Sequence, residues 1–201
     1  MGKMNLLKAN YEGKVGQTVG AKWKNLSTLR TFTKPSNPNT DAQQTVRSGF
    51  KDINAFVALF ADQIRYKSAL NTAGMSVRNA IVKLNKEMVS GNTFNKANLV
   101  ISKGGLQKVA GEAATATGGK VTVTWTAPTA TNFTEEAKLI AVLVQEASGM
   151  VEVVEAEATA LTAEGTLTFE SGTVDCYVYF LDKRGSNKIA SLSDYIEVTV
   201  A

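Results

Sequence analysis

The hydrophobic period of this chain changes once, near residue 97, and no single kind of element can satisfy both halves. Before that point the apolar residues run as Val46, Phe50, Ile53, Val57, Phe60 and Ile64, three or four apart. That spacing is one face of a helix over about 41–66, widened by Phe56 and Leu59. Pro38 halts the extended chain before it; Thr40 supplies an N-cap, with Asp41 in the first turn and Gln43 at the third position of a capping box. After Asn71, Thr72 and Gly74, a second helix is expected over about 75–89, carried by Val77, Ile81, Leu84 and Met88. Residues 39–96 therefore read as a helical hairpin.

Beyond residue 97 the period is two. Val121, Val123 and Trp125 alternate with Thr122, Thr124 and Thr126. Further strands are expected at 98–103, 138–145, 150–157, 165–170, 174–181 and 194–200. They are separated by turn signals at Gly118-Gly119, Pro128, Gly149, Gly165, Gly172 and Gly185-Ser186. Short strands rich in Thr and Val at this density predict an antiparallel β-sandwich of immunoglobulin or fibronectin type III character over 97–201. The stretch 129–138 has no strand pattern and reads as a loop. Residues 1–38 are an extended, polar arm in which 16–33 could form a hairpin or two strands. The fold class is α+β: arm, helical hairpin, then sandwich.

Charge divides the chain at nearly the same place. Residues 1–104 hold 16 Lys and Arg against 5 Asp and Glu, a balance of +11; residues 105–201 hold 6 against 13, a balance of −7. The net +4 conceals this. Such segregation suits a protein that docks one part and displays another.

Composition removes most chemistry. Histidine is absent, which takes away the commonest general base and metal ligand and makes a Ser-His-Asp or Cys-His arrangement impossible. The single Cys176 excludes a disulfide framework and a multi-cysteine metal site. It alternates with Val174, Val178 and Phe180 and reads as a small buried residue of a strand. Glu135-Glu136 and the set Glu152, Glu155 and Glu157, of which only the last two share a strand face, read as solvated carboxylates. No acidic loop has the spacing of an EF-hand. Gly13–Gly20 lacks the order and the strand–helix context of a phosphate loop. No cofactor, metal or catalytic residue is expected. No apolar run reaches the roughly 20 residues of a membrane span, and the first residues lack the apolar core of a signal peptide.

The basic arm is the strongest candidate site. Lys14, Lys22, Trp23, Lys24, Arg30 and Arg47, with Lys34, are interleaved with Tyr11 and Phe32. This mixture can anchor on an acidic protein surface, solubilise an arm packed on its own helices, or grip phosphates and stack on bases. Its Gly and Thr content suits strand addition to a neighbour's sheet edge.

Gly13-Lys14-Val15-Gly16, then Trp23 and Lys24, then Asn37, Pro38, Thr40 and Gln43, with Arg47 and Phe50, resemble the N-terminal signature of a family of uncharacterised proteins of bacteria and tailed phages. Residues 99–106 (LVISKGGL) and 120–126 (KVTVTWT) continue the resemblance. It implies a virion structural protein, assembled in the host cytoplasm, whose partners are other virion proteins and copies of itself. Neck, tail or head surface are the expected positions, with arm, hairpin and opposite charges packing copies head to tail or onto a portal-like ring. Two alternatives stand beside this: a nucleic-acid-binding protein using the arm, and an adhesion module presenting Tyr177, Tyr179 and Tyr195 to a host glycan.

Overall fold

The computed structural model describes residues 13–23, 26–34, 36–70, 74–91, 94–130, 132–184 and 187–201. It divides into two compact units, one up to Thr40 and one from Asp41 to Ala201. In the first, β1 (Gly13–Val15), β2 (Thr18–Trp23) and β3 (Leu26–Thr31) make an antiparallel meander. The second begins with α1 (Asp41–Phe60), α2 (Val77–Leu84) and α3 (Lys86–Gly91). Its strands are β4 (Ala113–Thr117), β5 (Lys120–Thr124), β6 (Lys138–Gln145), β7 (Met150–Glu157), β8 (Thr162–Glu164), β9 (Gly172–Arg184), β10 (Asn187–Ala190) and β11 (Asp194–Val200). The described chain is mostly β, with three antiparallel sheets and few helices.

A five-stranded sheet in the order β10-β9-β6-β7 forms the middle of the second unit. The long β9 pairs with β11 through Gly172–Val178 and with β10 through Leu181–Arg184, and with β6 along its other edge. Strand β6 (KLIAVLVQ) has no polar alternation and is buried from Leu139 onward because different layers cover its two faces. Ile140, Val142 and Val144 share one core with Ile53, Phe56, Val57, Phe60 and Ile81 of the helices. Leu139, Ala141 and Leu143 share another with Val121, Val123 and Trp125 from the three-stranded sheet β4-β5-β8. The unit is thus three layers, helices over sheet over sheet.

Aromatic rings join the helical layer to the sheet. Tyr177 of β9 lies 6.3 Å from Phe56 and 6.2 Å from Phe60, and Phe94 and Tyr195 extend the cluster at 5.7 Å from Phe56 and 5.3 Å from Tyr177. Buried phenols need partners. Tyr177 donates to the Lys96 carbonyl at 2.9 Å and Tyr179 to the Lys67 carbonyl at 2.6 Å. These two tyrosines are wholly buried and Tyr195 is half-buried, so the exposed aromatic edge expected of an adhesion surface does not exist. Cys176 is buried on the opposite face, as its alternation predicts, and burial pushes its thiol up to about 12.

The helices and strands expected as separate parts therefore share a core, and several boundaries move for identifiable reasons. Helix α1 starts at Asp41, directly after Thr40, with Asn39 in the left-handed conformation (φ 51°) that asparagine tolerates. It ends at Phe60 rather than near 66; tighter turns then carry Ile64 into the core. The second helix is two helices. Between them the Asn85 amide donates to Ile81 O and Val100 O and accepts from Val100 N, exchanging helix continuity for a cross-link to the next segment. That segment, 98–103, is extended but not a ladder strand. Ser193 Oγ accepts from Ile101 N, and Ser102 Oγ donates to Ser191 O. Gly104 follows, where a Cβ would sit 2.1 Å from Ala190 O.

The strand expected at 165–170 is instead 162–164, followed by an irregular loop. Strand β4 carries no strong apolar signal, but Gly118 and Gly119 (φ 59° and 81°) form the hairpin turn that pairs it with β5. Strand β10 was not expected either. Phe56→Ala opens the centre of the aromatic cluster and should cost about 3–5 kcal/mol of stability, read as the loss in urea unfolding free energy.

Candidate docking surfaces

The meander brings part of the predicted site together. Register places Lys14, Val19 and Arg30 side by side across β1, β2 and β3. The side chains of Lys22 and Trp23, and all of Lys24, lie outside the described residues. Arg47 belongs to α1 in the other unit, where it is exposed. Lys14 Nζ stands 3.7 Å from the centroid of the Phe32 ring, and Phe32 N donates to Gln17 O, which fastens the chain leaving β3 to the β1–β2 turn.

Among the described side chains of this sheet and the residue after it, Thr18 and Val19 are half-buried, and Leu29 and Phe32 are each 42% exposed. Residues 1–40 carry seven Lys and Arg against one Glu, +6; residues 41–201 carry 15 against 17, −2. The boundary between the two units thus separates +6 from −2, and the change of sign near residue 104 lies inside the second unit.

A second surface lies between α1 and α2. The first three turns of α1 bury only Gly49. Val46 (38% exposed) and Phe50 (47%) continue the helical seam beyond the sheet it covers. With Asn54, Asn79, Val82, Lys83 and Lys86 they line a groove of about 470 Å³. Arg78 ties α2 to α1, donating to Asn54 Oδ1 at 3.1 Å and Asn54 O at 2.9 Å. The floor is apolar and both charged lining residues are lysines.

The remaining polar clusters are structural. Lys96 meets Glu146 at 2.7 Å and the buried Asp175 at 3.0 Å, while Tyr195 donates to the other Asp175 oxygen at 2.8 Å. Burial pulls the Lys96 ammonium down, but the hydrogen bonds and charges of Glu146 and Asp175 outweigh it and leave its pKa raised. Lys67 pairs with Glu155 at 2.9 Å. These pairs join the basic helical segment to the acidic strands, so part of the sequence's charge division is satisfied inside one unit. Asp182, fully buried, accepts from Thr134 N and Oγ1 and from Arg184 Nε, fixing the loop before β6. Glu112 has a raised pKa, first through burial and then through the adjacent Asp194. The Lys67–Glu155 pair also lines a groove of about 720 Å³ shared with Lys138, Glu157, Lys183 and Lys188. One Ser-x-x-Lys spacing does occur, Ser48 and Lys51, and both residues are exposed on α1. Among the described residues no group of three or more His, Cys, Asp or Glu is placed to hold a metal ion. No described helix is long and apolar enough to cross a membrane.

Comparison with known proteins identifies little beyond a family. A family model described as a family of unknown function (DUF6266) matches residues 10–196. No curated protein matches the chain. Among solved structures, the crystal structure of the rat CD45 extracellular region, domains d3-d4, is similar at 19% identity and a TM-score of 0.37. The match covers 49% of this chain and 52% of that one, so the chain spans about half the length of that structure.

The Lys67–Glu155 contact gives an acid-sensitive contribution to stability. The Lys67 hydrogen bond holds the Glu155 carboxyl below its ordinary 4.5, against an upward push from burial. Burial likewise raises Asp182, but its Thr134 and Arg184 hydrogen bonds prevail and hold it below 3.8. A lowered carboxylate stabilises the fold fully above its unfolded pKa and loses that contribution as pH falls through the folded value. Glu112, shifted upward, has the opposite sign. Lys67→Met should therefore shrink the drop in urea midpoint between pH 6 and pH 3 relative to the unaltered protein.

Proposed function

The chain belongs to this family of unknown function, DUF6266, and on that premise we propose that it is a non-enzymatic structural protein of a tailed-phage particle. It docks through the basic meander and displays an immunoglobulin-like module, as a neck, tail or head-surface component assembled in the host cytoplasm. Other virion proteins and copies of itself are the partners. The observation that carries docking is that the sheet β1-β2-β3 holds Lys14 and Arg30 on one face, with exposed Leu29 and Phe32 nearby. Its outer strands β1 and β3 offer edges for strand addition. The virion setting is supported by the resemblance of the Gly13–Phe50 signature. The immunoglobulin-like reading of 97–201 is supported by two antiparallel sheets sharing a core over Trp125, whose indole donates to Ala158 O at 2.9 Å.

The second reading, single-stranded nucleic acid binding, is favoured by the sharing of one sheet face by Lys14 and Arg30. Removing residues 1–40 separates the two, because 41–201 is a compact unit of its own. Sedimentation of the full chain should show assemblies that weaken between about 50 and 500 mM salt and that are lost with the deletion. Salt-insensitive association would count against electrostatic docking. A monomeric full chain that retards oligonucleotides in a gel, and ceases to without residues 1–40, would replace docking by nucleic-acid binding.

A further inference from the structure

The groove between α1 and α2 has a complement on the opposite layer of the same unit. Between β8 and β9 the chain projects Leu167, 38% exposed, with exposed Glu164 and Glu170 three residues to either side. The loop is held in place rather than loose. The Glu152 carboxylate accepts from Thr166 N and Thr166 Oγ1, both at 2.6 Å, and from Leu167 N at 3.1 Å. Gln145 closes the far end, donating to Glu170 O at 2.8 Å and accepting from Glu170 N at 3.2 Å. A glutamate inside a strand is spent on fixing the backbone beneath an exposed leucine. Such preorganisation lowers the entropy lost on binding.

We propose that the groove lined by Val46, Phe50, Val82, Lys83 and Lys86 receives the Leu167 loop of a second copy of this chain. The apolar floor of the groove takes the leucine, while Lys83 and Lys86 on its rim face Glu164 and Glu170. Glu164 has an exposed contact with Lys120 at 3.6 Å, the kind of solvated pair that exchanges at little cost. Groove and loop occupy different layers, helices and small sheet, so the contact is heterologous. Each copy keeps one groove and one loop unused, and association continues into a ring or a filament. The inference rests on the reading of the chain as an assembling structural protein and adds an interface independent of the meander.

Charge reversal tests it in the full chain. Variant one carries Lys83→Glu and Lys86→Glu; variant two carries Glu164→Lys and Glu170→Lys. All four side chains are exposed, so circular dichroism and the thermal midpoint should stay close to those of the unaltered protein. Each variant alone sets like charges against each other and should self-associate at least about tenfold more weakly in sedimentation. Mixed in equal amounts, the two have opposite charges at both kinds of contact and should co-assemble one to one. Self-association of either variant at the unaltered strength, or failure of the mixture to associate, overturns the proposal. So does an unaltered chain that stays monomeric at its highest soluble concentration. Because the meander is untouched, assemblies that survive both reversals but vanish on removing residues 1–40 would overturn this interface and leave arm docking standing.

Discussion

Strands β6 and β9 are apolar on both faces, and that constraint places nearly every other part of the second unit. A sheet with two apolar faces needs two covers. One is the helical layer, seated through Phe56 and Phe60 on Tyr177; the other is the sheet β4-β5-β8, seated through Val121, Val123 and Trp125. Each aromatic of the first set removes roughly 150–250 Å² from water. At about 25 cal/mol per Å² this is a gross gain of roughly 4–6 kcal/mol per ring before conformational entropy is charged against it. Tyr177 and Tyr179 can enter that core because backbone carbonyls of Lys96 and Lys67 receive their hydroxyls. Polar tips thereby fix where the connecting segments cross the sheet.

The electrostatics follow the layers. Basic residues of the helical segment and acidic residues of the strands meet at Lys67–Glu155 and at Lys96 with Glu146 and Asp175, at the periphery of the aromatic core. Residues 1–40 add a further +6, with Lys14 and Arg30 on one face of the meander. The helix–groove surface is the part whose shape is least satisfied, since α1 extends beyond the sheet that covers its C-terminal half.

Strands with an unmixed pattern were legible in the sequence. The boundaries 138–145, 150–157 and 194–200 coincide with β6, β7 and β11 because period and turn residues agree there. The start of α1 was legible from Pro38 to Asp41 for the same reason. Failures occur where a side chain competes with the backbone for hydrogen bonds. Asn85 divides a helix whose apolar spacing is continuous, and Ser193 holds 98–103 in an extended form without a ladder. Of the candidate site, Lys14 and Arg30 share a sheet face through strand register. The helical layer over the sheet was missed although KLIAVLVQ announces it, since an uninterrupted apolar strand requires cover on both sides. That same run condemns Tyr177 and Tyr179 as surface residues.

The long β9 has a consequence for how the chain is made. Its partner β6 is made well before it, and the helical seam at Ile53, Phe56, Val57 and Phe60 precedes β9 by roughly 120 residues. At 5–20 residues per second, that seam has no proper cover for about 6–24 s of synthesis. Contacts of such separation also place the fold among slowly closing topologies. Early in its life the chain is an amphipathic helix in search of a surface, and the charge set along its polar side is what keeps the wait soluble.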